Sequence, residues 1–325
     1  MDDRLIAGIS CTRPMKWRRG MIETQTKWLR ASAQTRIHGT TCQTCFQTID
    51  GTPLLEFVAP SYDRIGVEMH QRVIDTETVK SDVHGRILVT TITREEKRNT
   101  LNHEVTLGID AAMNWLEDDP ELWCGILTGG ERVFSAGADL LDGPGDPTPR
   151  GGLVGLIGRV RSKPLIAAVE GAALGGGMEL VLACDLVVAS KSSTFGVPEP
   201  RLGLMPAFGG AFRLSRAVPA NIANEMLLTG DRIDAERAER AGFVNVLCED
   251  GDSLSSALRL ATRICDNAPL AVREALAVAH EEVNGDETSS WLRSNAAHAR
   301  LLETEDFQEG MAAFFARRSP EWKGR

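Results

Sequence analysis

Gly171-Ala172-Ala173-Leu174-Gly175-Gly176-Gly177-Met178-Glu179-Leu180 is the stretch on which the fold of this chain turns. Three consecutive glycines are poor material for the interior of a helix or strand, because glycine loses the most backbone entropy on ordering. They make sense at a sharp turn that a ligand approaches closely. The apolar run Leu165-Ile166-Ala167-Ala168-Val169 before them reads as a buried strand. The run from Met178 to Cys184 after them reads as the start of a buried helix. A strand–glycine–helix junction aims unpaired N–H groups into the turn, with the helix dipole behind them. Such a turn stabilises an anion, and for a developing enolate or alkoxide one donor is typically worth about 10²–10³ in rate.

Glu179 falls in the first turn of that helix. A second glutamate sits in Phe195-Gly196-Val197-Pro198-Glu199-Pro200, and Phe134-Ser135-Ala136-Gly137-Ala138-Asp139-Leu140 supplies another small-residue turn directly after an apolar run. Pro198 has a fixed φ, and Pro200 pushes Glu199 toward an extended conformation. A carboxylate held between two prolines is either a stiff surface turn or a positioned acid or base, which contributes roughly 10²–10⁴ when its pKa is tuned. Taken singly, each feature has a plainer explanation: Glu179 as a first-turn helix carboxylate, Glu199 as a loop acid, Asp139 as an N-cap. Two carboxylates beside two turns with bare amides are the parts needed to polarise a carbonyl and move a proton next to it.

In this order the segments resemble the crotonase family, the enoyl-CoA hydratases and isomerases, over most of the chain from about Val73 to Arg325. The resemblance rests on the turns already quoted, on Arg94-Glu95-Glu96-Lys97-Arg98-Asn99-Thr100-Leu101-Asn102, on Gly203-Leu204-Met205-Pro206, on Leu228-Thr229-Gly230-Asp231-Arg232-Ile233, and on the tail Trp322-Lys323-Gly324-Arg325. It implies an α/β fold, a superhelix of repeated ββα units followed by a helical C-terminal region. It also implies an acyl-CoA thioester substrate held in an oxyanion hole, which motif alignment places on the amides of Ala138 and Gly176. The hydratase members work with two glutamates around one water, at the positions of Glu179 and Glu199. Ala136, Gly137, Asp139 and Leu140 are expected to line the substrate site. Lys97 and Arg98 lie in the segment that resembles the family's nucleotide-contacting loop. The position after Leu140 is often lysine in relatives and is Leu141 here, which puts a CoA contact there in doubt.

Keeping both acids favours hydration of a 2-enoyl-CoA, or its reverse. Alternatives are a double-bond isomerase, a specialised dehydratase of carnitinyl type, which the tail from Arg317 resembles, and a non-catalytic CoA- or RNA-binding member. No metal or redox cofactor is expected, coenzyme A being part of the substrate. His103-Glu104 lacks the second histidine of a zinc helix motif. A homo-oligomer, trimer or dimer of trimers, is implied by the resemblance.

Composition fits this reading. The net charge of −9 speaks against a nucleic-acid partner, and no run approaches the ~18 apolar residues of a membrane span. Seven scattered cysteines suggest reduced thiols in a cytoplasmic protein; Cys42-Gln43-Thr44-Cys45 has zinc spacing but no partner pair.

Three regions follow. Residues 1–72 have no counterpart in the family and are expected to be poorly ordered. Between Arg4 and Thr48 there are eight Lys/Arg and one acid, which suggests an organelle transit segment or a start codon assigned too early, with Met69 the true beginning. Residues 73–220 form the core with the acyl-CoA site, read as strand–turn–helix units: a strand at Arg86–Thr93, a helix at Asn102–Leu116, a strand at Trp123–Leu127. Asp142–Gly152 reads as a mobile loop near the acyl pocket, and the spacing of Gly152, Gly155 and Gly158 as a close-packed helix face. Residues 221–325 read as almost entirely helical and as the oligomerisation region, with helices at Asn221–Thr229, Ala235–Ala241, Leu254–Asn267, Ala271–Asn284, Ser289–Glu303 and Glu305–Arg317.

Overall fold

The computed structural model of the chain describes residues 76–267, 269–284, 299, 301–318 and 320. Strand β1 (Val79–His84) turns back into β2 (Ile87–Ile92), and helix α1 (His103–Asp118) returns the chain to β3 (Cys124–Thr128). Next come β4 (Leu165–Val169), β5 (Ala172–Leu174), α2 (Gly176–Val181), β6 (Leu186–Ser190) and β7 (Thr194–Gly196). Helices α3 (Gly210–Ala217) and α4 (Ala220–Thr229), strand β8 (Arg232–Asp234), helix α5 (Ala235–Arg240) and strand β9 (Val246–Cys248) lead to α6 (Ser253–Cys265), α7 (Pro269–Asn284) and α8 (Glu305–Ala316).

Six strands form the main sheet in the order β1-β2-β3-β4-β6-β9, and three form a second sheet in the order β5-β7-β8. In the main sheet only β1 runs antiparallel to its neighbour; the other pairs are parallel. A parallel sheet is covered on both faces, which explains why β3 and β4 are buried at every residue. Side chains alternate between the faces. Leu165, Ala167 and Val169 face the larger core with α1, and Ile166 and Ala168 face the smaller one, closed by Ala257 and Ala261 of α6.

The repeating unit is a long strand in the main sheet, a turn, a short strand in the second sheet, and a helix or helical turn. β4–β5–α2 is one copy. β6–β7 with the 3₁₀ turn Glu199–Leu202 is the next. In an earlier, reduced copy β3 leads to Ser135, which makes a single parallel bridge to Ala173 of β5.

The strands and helices expected at Arg86–Thr93, Asn102–Leu116 and Trp123–Leu127 are present within two residues at each end. Asn102 caps α1, its side chain accepting the Val105 amide. The region beyond residue 220, expected to be almost entirely helical, also holds β8 and β9, short strands that periodicity over three residues does not reveal. β9 pairs with β6, and α6 packs under the sheet, so the core continues well past residue 220. The helices expected at Asn221–Thr229, Ala235–Ala241, Leu254–Asn267, Ala271–Asn284 and Glu305–Arg317 are found. Most of Ser289–Glu303, the segment before residue 76, Cys11, Cys42 and Cys45, and the tail from Glu321 lie outside the described residues.

Gly152, Gly155 and Gly158 do not form a helix face. Gly152 (φ +64°) and Gly155 (φ +69°) have left-handed backbone in a tight turn around the 3₁₀ segment Leu153–Gly155, and the close approach they permit is of backbone to backbone. The Asp142–Gly152 segment takes no regular element, as expected, but is fastened to α1 through Pro144 and Thr148.

Cys124, Cys184, Cys248 and Cys265 are free thiols, and burial raises the pKa of each, that of Cys184 to about 12. Among the described residues no helix is long and apolar enough to cross a membrane.

Candidate active site

Two neighbouring strand ends of the second sheet, and the single bridge at Ser135 beside them, each lead to one part of the site. Ser135 bridges to Ala173 in β5, and β5 pairs with β7. Just beyond them lie, in turn, Ala138, Gly176 and Glu199. Ligands of parallel sheets bind at such carboxyl ends of strands.

The first two parts are amides. Leu101 donates its N–H to the Gly137 carbonyl and accepts the Asp139 N–H, both at 2.9 Å, so that Ala138 between them has its N–H pointing elsewhere. Among the described residues it finds no acceptor. Gly176 is the first residue of α2, and its N–H has no acceptor within the helix. The two amides are neighbours: a Cβ on Gly176 would lie 3.3 Å from the Ala138 nitrogen, and one on Gly137 (φ +103°) 3.3 Å from the Gly176 nitrogen. Ser135 locks the turns together. Its hydroxyl donates to the Asn99 carbonyl at 2.7 Å and its carbonyl accepts the Leu174 N–H at 2.9 Å.

Glu179 is 2% exposed. Its Oε1 accepts the Gly210 N–H at 2.9 Å, at the first residue of α3, and the Phe208 amide adds a second donor. Burial raises its pKa, and the neighbouring Glu199 charge raises it further; the two amides and Arg213 oppose this without cancelling it.

Glu199 opens the 3₁₀ turn Glu199–Leu202 rather than lying extended. Its carbonyl accepts the Leu204 amide at 3.0 Å and Gly203 closes the turn at φ +71°, bonds that outweigh the constraint from Pro200. The carboxyl folds back onto the glycine turn, where a Cβ on Gly175 would lie 3.3 Å from Oε1. Oε2 is buried with no hydrogen-bond partner. Burial lifts this carboxyl to about 7.

The other expected residues divide. Asp139 is engaged structurally: Oδ2 accepts Arg94 Nη1 at 2.8 Å, and Oδ1 accepts the Leu141 and Asp142 amides. Burial would raise its pKa, but the guanidinium and those amides hold it below the usual carboxylate range. Ala136 donates its N–H to the Arg98 carbonyl at 3.0 Å, which sets Lys97 and Arg98, both exposed, beside the first turn. Gly137 is buried and Leu140 half-buried, whereas Leu141 is 71% exposed. Sequence reasoning missed the Phe208 and Gly210 amides. Its available signal was the pair Gly209-Gly210, where a Cβ on Gly210 would meet Glu179 Oε1 at 2.8 Å. Among the described residues no group of His, Cys, Asp and Glu side chains is placed to hold a metal ion.

A family model described as enoyl-CoA hydratase/isomerase matches residues 82–325. Curated relatives named carnitinyl-CoA dehydratase, from Citrobacter koseri and Salmonella typhi, are 39% and 38% identical over 261 residues, 77% of this chain and 100% of theirs. Among solved structures, a carnitinyl-CoA hydratase from Mycobacterium avium superposes with TM-score 0.74 at 38% identity, covering 77% of this chain and 100% of that one. An enoyl-CoA hydratase from Mycobacterium tuberculosis does so with TM-score 0.64 at 32% identity, covering 70% and 100%.

Proposed function

The chain belongs to the enoyl-CoA hydratase/isomerase family, and on that premise we propose that it adds water reversibly across the double bond of a 2-enoyl-CoA thioester. Its fold is the α/β fold of repeated ββα units expected for that family. At the coarser level it is an enzyme of hydro-lyase type, a hydratase or dehydratase. The observation that carries the finer reading is the pairing of two buried carboxyls, Glu179 and Glu199, with the free amides of Ala138 and Gly176.

The amides of Ala138 and Gly176 donate to the thioester oxygen and draw electrons from the double bond, which makes the β carbon electrophilic. Two enclosed carboxyls side by side do not both ionise at neutral pH. We assign the base to Glu179, because the Gly210 amide can hold its carboxylate, and the acid to Glu199. Glu179 then takes a proton from water as its oxygen bonds to the β carbon. Charge builds on the thioester oxygen, and Glu199 delivers its proton to the α carbon. One water is consumed, and the two carboxyls end with their protonation exchanged. Lys97 and Arg98 are suited to the CoA phosphates, and no metal or redox cofactor enters any step.

A second reading has its own support: relatives and a solved structure named for carnitinyl-CoA favour a polar, branched acyl group in the dehydration direction. We also infer a homo-oligomer, a trimer or dimer of trimers, supported by the exposed pair Phe314 and Phe315 on α8 and read by light scattering.

The test follows the conjugated thioester absorbance on mixing with crotonyl-CoA, beside Glu179→Gln and Glu199→Gln. Loss in the wild type, slowed by roughly 10² or more in both variants, is expected. Absorbance gained from carnitinyl-CoA, with crotonyl-CoA inert, supports the second reading. Activity on a 3-enoyl-CoA that survives Glu179→Gln overturns hydration in favour of isomerisation.

A further inference from the structure

Helix α1 has Thr106, Asp110, Asn114 and Asp118 at four-residue steps, which stacks them in one row. All four take part in holding the segment that follows the first amide turn. Thr106 Oγ1 donates to the Pro144 carbonyl at 2.5 Å. Asp110 Oδ1 accepts both Thr148 Oγ1 at 2.6 Å and Arg159 Nη2 at 2.5 Å. Asn114 donates to Asp110 Oδ2 and accepts Arg159 Nη1, both at 2.9 Å. Asp118 takes Arg150 bidentately at 2.7 and 2.8 Å. Between these points the backbone lies directly on the helix: a Cβ on Gly155 would fall 2.5 Å from the Asp110 nitrogen and from the Thr106 carbonyl oxygen.

Two details show that this contact is more than a surface loop at rest. The Arg159 side chain is only 2% exposed, so its guanidinium depends for its solvation on Asp110, Asn114 and the Gly155 carbonyl. Val154, in the middle of the segment and 1% exposed, has φ +53°. A β-branched residue in the left-handed region persists only where its surroundings over-determine it, and such residues cluster at functional sites.

The segment spans the site. It starts on Asp139, which takes the amides of Leu141 and Asp142 on its side chain and that of Gly143 on its carbonyl. It ends at α3, where Arg213 Nη2 donates to the Ile157 carbonyl at 2.9 Å. Helix α3 is also the element whose first amide holds Glu179. Leu153, Val154, Leu156 and Ile157 share one packed cluster with Leu101, Met178 and Phe208, and Leu101 and Phe208 lie against Gly176.

We propose that Asp110 and Arg159 are positioning residues that hold residues 142–159 as a preformed wall of the acyl pocket, so that the protein selects compact acyl thioesters over long chains. The proposal rests on the acyl-CoA reading above. Interiors resist gradual deformation, so a fixed wall excludes a long chain where a mobile loop would yield to it.

The test compares wild type, Asp110→Ala and Thr148→Val, each checked for folding by thermal unfolding. Affinities for butyryl-CoA and dodecanoyl-CoA are measured by calorimetry, and kcat and KM for crotonyl-CoA and 2-dodecenoyl-CoA by absorbance. The wild type should favour the short substrate by at least about tenfold in kcat/KM. Asp110→Ala should erase most of that preference through the long-chain KM, with kcat on crotonyl-CoA within about threefold of wild type. Thr148→Val, which keeps the Asp110–Arg159 pair, should shift the same ratio less, and it decides the matter if Asp110→Ala does not fold. An unchanged ratio, an equal loss on both substrates, or a wild type that prefers the long chain overturns the proposal. If the saturated thioesters bind but neither enoyl-CoA turns over, the hydratase reading fails, and the binding ratio alone decides for or against the wall.

Discussion

The Gly210 amide donates to Glu179 Oε1 at 2.9 Å, so the residue proposed as the base is held by the first turn of a separate helix. The space is too tight for any larger residue, since a Cβ at position 210 would sit 2.8 Å from the same oxygen. Gly210→Ala should therefore displace the carboxylate while leaving the protein folded. A shift of about 1 Å at a catalytic group can cost roughly 10²-fold. Crotonyl-CoA turnover should fall by about that factor, with a smaller change in KM; unchanged turnover would mean that Glu179 is not held by this contact.

The raised pKa of Glu199 gives a pH dependence of definite sign. Burial lifts its carboxyl to about 7 in the folded protein, well above the ordinary glutamate value of 4.5. The folded state holds this proton more tightly, so the stability linked to it is fully present below about pH 4.5 and is lost as pH rises through 7. As the proposed acid, Glu199 must be protonated, so the hydration rate should fall above about pH 7. Urea unfolding of wild type and Glu199→Gln at several pH values should show a steeper loss of stability with rising pH in the wild type, Glu179 supplying the remainder in the variant. A flat wild-type profile from pH 5 to 8 would contradict the assignment.

Gly137 has a φ of +103°, and a Cβ there would meet the Leu174 carbonyl oxygen at 2.9 Å. Gly137→Ala should separate the two amide turns at a strain cost of about 1–3 kcal/mol. Losing one donor of such a pair typically lowers kcat by about 10²–10³. Kinetics and thermal unfolding on the same preparation separate the two effects: the rate should drop much further than the modest loss of stability explains.

Asp185 anchors the segment that follows α2. It pairs bidentately with Arg161 at 2.7 and 2.8 Å, takes the Leu165 amide and meets His280 Nε2 at 2.8 Å. Burial would raise its pKa, but Arg161 and His280 outweigh this and hold it at about 2. Asp185→Ala would leave the buried Arg161 guanidinium uncompensated, and such breaks cost about 3–5 kcal/mol. A urea midpoint lowered by less than 1 kcal/mol equivalent would show that water readily replaces the carboxylate.

The strong local signals were legible in the sequence. A glycine triplet, prolines and continuous apolar runs located the turns at 134–140, 174–177 and 195–200, because these features mark strand ends and turns wherever they occur. Long amphipathic elements such as α1 were equally readable. What escaped the sequence was long-range or short. β8 and β9 span three residues each, too few to establish a period. The Gly210 amide reaches Glu179 across 31 residues, and the row on α1 that holds 144–159 looks in the sequence like an ordinary solvated helix face. Glu199 was placed in the correct turn but in the wrong conformation, because hydrogen bonds closing the turn prevailed over the local preference imposed by Pro200.

The placing of Ala138, Gly176 and Glu199 just beyond the Ser135 bridge and the adjacent ends of β5 and β7 turns the second sheet into a ruler. Neighbouring strands stand about 4.8 Å apart whatever side chains they have. The distance between the amides proposed to grip a carbonyl and the carboxyl proposed to deliver a proton is thus set by main-chain hydrogen bonding. Exchanging a side chain at one of these ends would change what is done to the bound molecule. Only a slip in strand register would change where along that molecule it is done.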